Sequence, residues 1–303
     1  MKIAISGASG LIGTALARSL RLDGHDVLPL VRRPVAPGEA AVQWDPAAGT
    51  IDAAALEGID GLVNLSGAGI GDKRWTDAYK REVLESRTTS TDLLARTLAG
   101  LDQPPGVFVS GSAMGIYGDT GDTAVTEQSP AGNDFLADVC VRWEAAAEPA
   151  VAAGIRVTHP RTGIVLSPNG GALAKLLPLF KLGVGGRMGS GRQWWSWISL
   201  DDEVGALRWL LDHDVAGPVN LTAPEPVTNA EMTKVLGTVL HRPTIFPVPS
   251  FGPKLLLGGE LADSLLFTSQ RVLPAVLEAE GFPFEHTTLE VALRALLDRP
   301  AAA

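Results

Sequence analysis

Cysteine is almost missing from this chain. Cys140 is the only one in 303 residues, which excludes an internal disulfide and a thiolate zinc site. Long apolar runs are missing too, since nothing approaches the ~20 consecutive apolar residues that a membrane span needs. The apolar stretch at the N-terminus, Lys2–Ser6, is too short for a signal peptide. There is no excess of basic residues: 25 Lys and Arg face 34 Asp and Glu, a formal charge of −9. Nucleic-acid binding rests on clustered Lys and Arg, so that class of partner is excluded. The five histidines show no metal-ligand spacing; His25 belongs to a turn, and His159, His213, His241 and His286 read as turn or surface residues. No repeat or low-complexity segment occurs. With 46% hydrophobic and 19% charged residues the composition is that of an ordinary globular protein. A cytoplasmic monomer or homodimer is expected, without a metal.

What is present is concentrated at the start. Lys2–Ser6 (KIAIS) is a short strand-like run, Gly7-Ala8-Ser9-Gly10-Leu11-Ile12-Gly13 follows at once, and Leu11 to Leu22 carries apolar residues at helical spacing. A glycine turn between strand and helix is what a dinucleotide pyrophosphate requires. The first glycine permits the tight turn, the second lets the backbone approach the phosphates, and the third lets helix and strand pack closely. The free N–H groups and the positive end of the helix face the anion. The next strand, Val27 to Val31, closes with Arg32-Arg33-Pro34. An acid there would bind the ribose hydroxyls of NAD, whereas an arginine accommodates the 2′-phosphate of NADP. No Asp or Glu competes for the place, so the cofactor reads as NADP(H).

The first half continues to alternate apolar runs with helical patterns, which predicts an α/β fold: a Rossmann-type, doubly wound parallel sheet. Further strands are predicted at Ala41–Trp44, Gly61–Leu65, Val107–Ser110 and from Ile155. Helices are predicted over Thr76–Ala99 and Asn133–Ala153. The texture changes after about residue 166. Residues 1–166 are expected to form the cofactor-binding domain, to which elements from about 194–240 return. Residues 167–303 are expected to form a smaller, mainly helical cap that holds the substrate. Helices are predicted there at Leu173–Leu182, Asp201–Leu211, Asn229–Leu240, Arg271–Glu280 and Leu289–Asp298. Gly183–Arg192 is a flexible stretch with five glycines, and Trp194, Trp195 and Trp197 follow it as a candidate wall for a flat or apolar small-molecule substrate. On a strand, Trp195 would face one way and the other two the opposite way. Arg187 and Arg192 read as a solvated loop, or as contacts for an anionic group.

By these marks the chain resembles the extended and atypical short-chain dehydrogenase/reductase superfamily, in its epimerase-like, nucleoside-diphosphate-sugar-epimerase-like subgroup. The motifs are GASGLIG (7–13), VNLSG (63–67), RW (74–75), KREVLESR (80–87) and SGSAMGIYG (110–118). SPAGNDFLADVCVRWEAAA (129–147), RTGIVL (161–166), WWSWISLDD (194–202) and SQRVLP (269–274) complete the set. The resemblance implies that Gly7, Ser9, Gly10, Leu11, Ile12 and Gly13 line the pyrophosphate turn. It also implies that Val31, Arg32 and Arg33 hold the adenosine side with its phosphate, and that Leu65, Ser66 and Gly67 pass beneath the cofactor. Glu82 and Arg87 would face it, and Val165 would lie against the nicotinamide. Asp45 would accept from the adenine amino group, or else cap the turn before Pro46.

Most members of the superfamily place a Tyr and a Lys, spaced Tyr-x-x-x-Lys, on the helix after the fifth strand. Setting Glu144 against the usual downstream Glu puts Leu136 at the Tyr position and Cys140 at the Lys position, and neither can do that chemistry. The only tyrosines are Tyr79 and Tyr117. The candidate catalytic residues are therefore Ser110 and Ser112, whose hydroxyls could donate to a carbonyl oxygen, and Tyr117, whose phenol could donate a proton beside a suitable cation. Local turn bonding for the serines and plain packing for Tyr117 are the alternatives, and Cys140 reads as a small buried hydrophobe. Two functions stay open: an NADP(H)-dependent oxidoreductase or epimerase-like enzyme with an atypical site, and a non-catalytic NADP(H)-binding redox sensor.

Overall fold

The computed structural model describes residues 1–298. The chain opens as expected: β1 (Lys2–Ser6), α1 (Leu11–Leu22) and β2 (Asp26–Val31) form a parallel strand–helix–strand unit. β3 (Val42–Asp45) and the two-residue β4 (Thr50–Ile51) follow at the edge, then β5 (Gly61–Asn64) and α2 (Asp77–Ala99). Thr76 caps α2, accepting from Tyr79 N at 3.2 Å. Next come β6 (Val107–Ser110), the short β7 (Ser112–Ala113) and β8 (Ala124–Val125), α3 (Phe135–Ala145), α4 (Glu148–Ala152) and β9 (Arg156–Thr162). The single helix expected over 133–153 is broken. Pro149 has no N–H to offer the carbonyl of Ala145, so the ladder of α3 ends there.

The later elements are β10 (Ile164–Leu166), α5 (Gly171–Lys181), β11 (Trp194–Trp195), β12 (Trp197–Ser199), α6 (Leu200–Asp212), β13 (Gly217–Leu221) and β14 (Val227–Thr228). After them come α7 (Asn229–Leu240), α8 (Phe251–Leu257), α9 (Gly259–Ala262), β15 (Arg271–Val272), α10 (Ala275–Ala279) and α11 (Leu289–Asp298). Where one helix was expected over 271–280, Arg271 and Val272 pair with Ala124 and Val125, and the helix starts only after Pro274. No helix among the described residues is long and apolar enough to cross a membrane.

The main sheet runs β13-β9-β6-β5-β1-β2-β3-β4, and every pairing is parallel except β3–β4. From β1 the chain winds outward to β2 and β3, then crosses back to β5, β6 and β9. The reversal leaves a crevice at the carboxyl ends of β1 and β5, where ligands of such sheets bind. One face is covered by α1 and α6 through Leu16, Leu20, Leu207 and Leu210, and the other by α2 and α4 through Leu94, Leu98 and Ala150. α6 and β13 thus return to the sheet from beyond residue 194. A third core gathers α5, α7 and α11 around Trp195 and Trp197.

Candidate functional site

The glycine turn is built as its spacing requires. Gly7 has φ +70°, and a Cβ there would lie 2.7 Å from the carbonyl oxygen of Leu65. A Cβ on Gly13 would lie 2.2 Å from the Gly7 carbonyl oxygen, so only glycine lets α1 sit this close to β1. α1 has no side-chain cap at Gly10 and no acid in its first turn, which leaves its first N–H groups open to an anion. Beneath it, Ser6 Oγ donates to Asn64 Oδ1 at 2.5 Å, Asn64 Nδ2 to Thr91 Oγ1 at 2.8 Å, and Ser66 N to Asn64 Oδ1 at 3.2 Å. This buried amide pins the end of β5, and so the path of Leu65, Ser66 and Gly67. Ile12, Leu65 and Val165 all pack on the same core, which brings the predicted pyrophosphate, linker and nicotinamide residues to one edge of the sheet. The cradle fits a dinucleotide.

At the end of β2, Arg32 is exposed and has no hydrogen-bond or ion-pair partner among the described residues. Arg33 is different: its fork grips Glu39, with Nη1 donating to Oε2 at 3.0 Å. Asp45 takes the turn-capping role, accepting from Ala47 N at 3.0 Å and Ala48 N at 3.3 Å. Glu82 and Arg87 do not share a face. Five residues on a helix turn through about 140°, so Glu82 lies outside, paired with Lys73 at 3.0 Å, while Arg87 points inward. Arg87 is buried against Gly67, where a Cβ would lie 3.0 Å from its Cζ. It donates Nη1 to the carbonyls of Ala68 (3.0 Å) and Val83 (2.9 Å) and stacks over Trp143. Burial depresses its pKa, and no described carboxylate pairs with it.

The predicted hydroxyls meet a network that sequence reasoning missed. Ser112 Oγ donates to Glu144 Oε1 at 2.6 Å. Arg161 clasps the same carboxylate, Nε to Oε1 at 2.8 Å and Nη2 to Oε2 at 2.9 Å. Its Nη1 donates to Tyr117 Oη at 2.9 Å, and Tyr117 donates in turn to Asn220 Oδ1 at 2.7 Å. Glu127, in the turn after β8, is buried and accepts from the backbone N–H groups of Asn220 (2.9 Å) and Val276 (3.2 Å). Burial alone would raise the Glu144 pKa, but the Arg161 fork and the Ser112 hydroxyl hold it below the usual carboxylate range. Tyr117 has its cation, yet burial outweighs Arg161 and raises the phenol. Ser110 Oγ is fully buried and has no hydrogen-bond partner among the described residues. Arg161 and Glu144 both lie in motifs visible in the sequence, but α3 and β9 carry other charged residues, and nothing in the sequence singles out this pair.

The tryptophan wall does not form. Trp195 and Trp197 lie in the same core, 4% and 0% exposed, with Trp197 Nε1 donating to the Glu225 carbonyl at 3.0 Å. The expected alternation fails because the strand is interrupted at Ser196: Trp194–Trp195 pair with β14, and Trp197–Ser199 with β10. Trp194 alone reaches the surface, bonded to Asp122 and covered by Arg271. His286 is not a surface residue either; it is buried with Nδ1 2.9 Å from Ser199 Oγ, beside Asp202. Cys140 is buried and its thiol is pushed up to about 12, so it is inert.

Comparison with known proteins agrees with this fold. The model of the NAD dependent epimerase/dehydratase family matches residues 3–222, and a domain of unknown function, DUF1731, matches residues 248–296. An epimerase family protein of Mycobacterium tuberculosis is 46% identical over 299 residues, 98% of each chain. The crystal structure of human epimerase family protein SDR39U1 (isoform 2) with NADPH superposes with a TM-score of 0.90 at 33% identity, covering 99% of this chain and 100% of that one. A nucleoside-diphosphate sugar epimerase structure from Corynebacterium glutamicum superposes at 0.78 with 39% identity, over 98% of this chain and 58% of that one. The glycine cradle, the sheet order and these likenesses over nearly the whole of this chain together place it in the NAD-dependent epimerase/dehydratase family, as an atypical short-chain dehydrogenase/reductase related to SDR39U1.

Proposed function

We propose that the protein is an NADP(H)-dependent oxidoreductase or epimerase-like enzyme acting on a small molecule. The cofactor would supply the hydride. Gly7 to Gly13 and the first turn of α1 would hold its pyrophosphate, Arg32 its 2′-phosphate, Leu65 and Ser66 would pass beneath its linker, and Val165 would lie against its nicotinamide end. NADPH in the human relative supports the choice of cofactor. Replacing Arg32 by Asp and Arg33 by Ala is expected to weaken NADPH by roughly 100-fold, the worth of one or two charge-assisted hydrogen bonds, and NADH hardly at all. Calorimetric titration of both cofactors checks it.

The observation that carries an enzymatic reading is the Ser112–Glu144–Arg161 array at the carboxyl edge of the sheet. Arg161 fixes the carboxylate, the carboxylate fixes the serine proton, and Ser112 Oγ is left with lone pairs to receive a substrate hydroxyl. An accepting Oγ suits a substrate that brings its own hydroxyl: as hydride leaves that carbon, the hydroxyl proton can pass to Ser112 while Ser112 passes its own to Glu144. Tyr117 completes the frame by accepting from Arg161. Ser112→Ala is expected to lower turnover by about 100-fold with NADPH affinity unchanged. The assay is NADP⁺ reduction with a panel of alcohol and nucleotide-sugar substrates. Equal loss of binding and turnover, or of neither, removes Ser112 from the chemistry.

The absence of a Tyr–Lys pair, with inert Cys140 at the Lys position, favours a second reading as a redox sensor. A sensor binds NADPH and NADP⁺ with clearly different affinities and needs no third ligand.

A further inference from the structure

Arg32 and Arg33 stand side by side at the end of β2, but only one of them is available. Arg33 Nη1 donates to Glu39 Oε2 at 3.0 Å, and Nη2 to Glu39 Oε1 in the same fork. Nη1 also donates to the Pro34 carbonyl at 3.0 Å. The carboxylate is held in turn by the loop: Ala36 N donates to Glu39 Oε2 at 3.1 Å, and Glu39 N to the Ala36 carbonyl at 3.0 Å. Pro34 and Pro37 stiffen this loop, and Gly38 supplies its turn at φ +80°. Glu39 is therefore not a mobile surface acid that happens to reach a neighbour. A short, built turn delivers it to the guanidinium.

A guanidinium recognises carboxylate and phosphate through the same paired N–H donors. The oxygens of Glu39 occupy the donors that a ribose 2′-phosphate would use, and their negative charge opposes a phosphate dianion there. We propose that Glu39 is an internal competitor for the 2′-phosphate, tuning the preference for NADP(H) over NAD(H) by withholding Arg33 while Arg32 stays open. This rests on reading Arg32 and Arg33 as the 2′-phosphate site. Binding of the phosphorylated cofactor would then require Arg33 to exchange Glu39 for the 2′-phosphate, whereas NAD(H) has no group to drive the exchange. Both side chains remain partly exposed, so the competition weakens as salt screens it.

The test uses the whole protein and calorimetric binding of adenosine 2′,5′-bisphosphate and 5′-AMP, followed by NADPH and NADH. Glu39→Gln is expected to tighten adenosine 2′,5′-bisphosphate and NADPH by about three- to tenfold and to leave 5′-AMP and NADH unchanged. The gain should shrink on raising the salt from low to physiological concentration. Arg33→Ala should weaken the 2′-phosphorylated ligands and abolish the gain when combined with Glu39→Gln. If Arg33→Ala weakens them but Glu39→Gln has no effect or loosens binding, Glu39 orients Arg33 rather than competing for it, and the proposal falls. If Arg33→Ala itself changes nothing, the 2′-phosphate site has been misplaced, and the proposal falls with it.

Discussion

Arg161→Met is expected to cost the fold about 3–5 kcal/mol, more than any other single side-chain deletion at this site. The reason is the partner it leaves behind. Glu144 is mostly buried, and Arg161 is its only ion-pair partner among the described residues, at 2.8 Å and 2.9 Å. Methionine fills similar volume and stacks on Tyr117 as the arginine does, so the loss reads the stranded carboxylate rather than a cavity. In the variant, burial pushes the folded-state pKa of Glu144 above its unfolded value. The deficit is therefore full at neutral pH and shrinks as pH falls toward the unfolded carboxylate range, where both states are protonated. Combining Arg161→Met with Glu144→Leu should recover most of the loss, because no charge is then left unpaired. Urea unfolding of the two variants across pH decides this. An Arg161→Met loss below about 1 kcal/mol would mean that water already solvates Glu144 and that the array is not preorganised.

The contrast between this network and the glycine turn shows what a sequence carries. Gly7 and Gly13 are legible because each glycine answers a local steric demand: one positive φ, one approach of 2.2 Å that a Cβ would block. The parallel sheet follows from strand–helix alternation, and the arginines after Val31 are read from their place at a strand end. Interactions that close over long separations are not legible. Tyr117 and Asn220 are 103 residues apart, and no spacing rule connects them. The cation expected for Tyr117 is there, but burial reverses the shift it was meant to cause. Trp195 and Trp197 share one core because the backbone changes partners at Ser196, which period-two reasoning does not see. The angle of about 140° between Glu82 and Arg87 on α2 follows from their spacing alone. Glu39 was overlooked because a turn of six residues, rather than a strand or helix, carries it back to Arg33.

Glu203→Gln is expected to raise stability, and by more the higher the pH. Glu203 lies on the first turns of α6, wholly buried among the leucines that pack α6 on the sheet. Thr162 Oγ1 donates to its Oε1 at 2.8 Å, and its other oxygen has no partner. A carboxylate cannot be sustained there, so burial pushes the pKa up to about 8 from the ordinary 4.5. The sign follows: the folded state binds the proton more tightly than the unfolded one. Folding therefore has its full stability below the unfolded pKa, near 4.5, and loses it progressively as pH rises through about 8. A shift of this size corresponds to a loss on the order of 4 kcal/mol by pH 8. Glutamine keeps the shape and the acceptor to Thr162 but cannot ionise. Near pH 5 the variant should lie within about 1 kcal/mol of the parent, slightly below it because the amide adds an unsatisfied donor. The two stability curves should cross between about pH 5 and 6 and diverge in favour of the variant as pH rises toward 8. Parallel curves would show that Glu203 gains a solvating partner when it ionises. Thr162, the donor to this carboxyl, ends β9, and only Gly163 separates it from the strand that carries Val165, so the cost of burying Glu203 falls beside the carboxyl edge of the sheet.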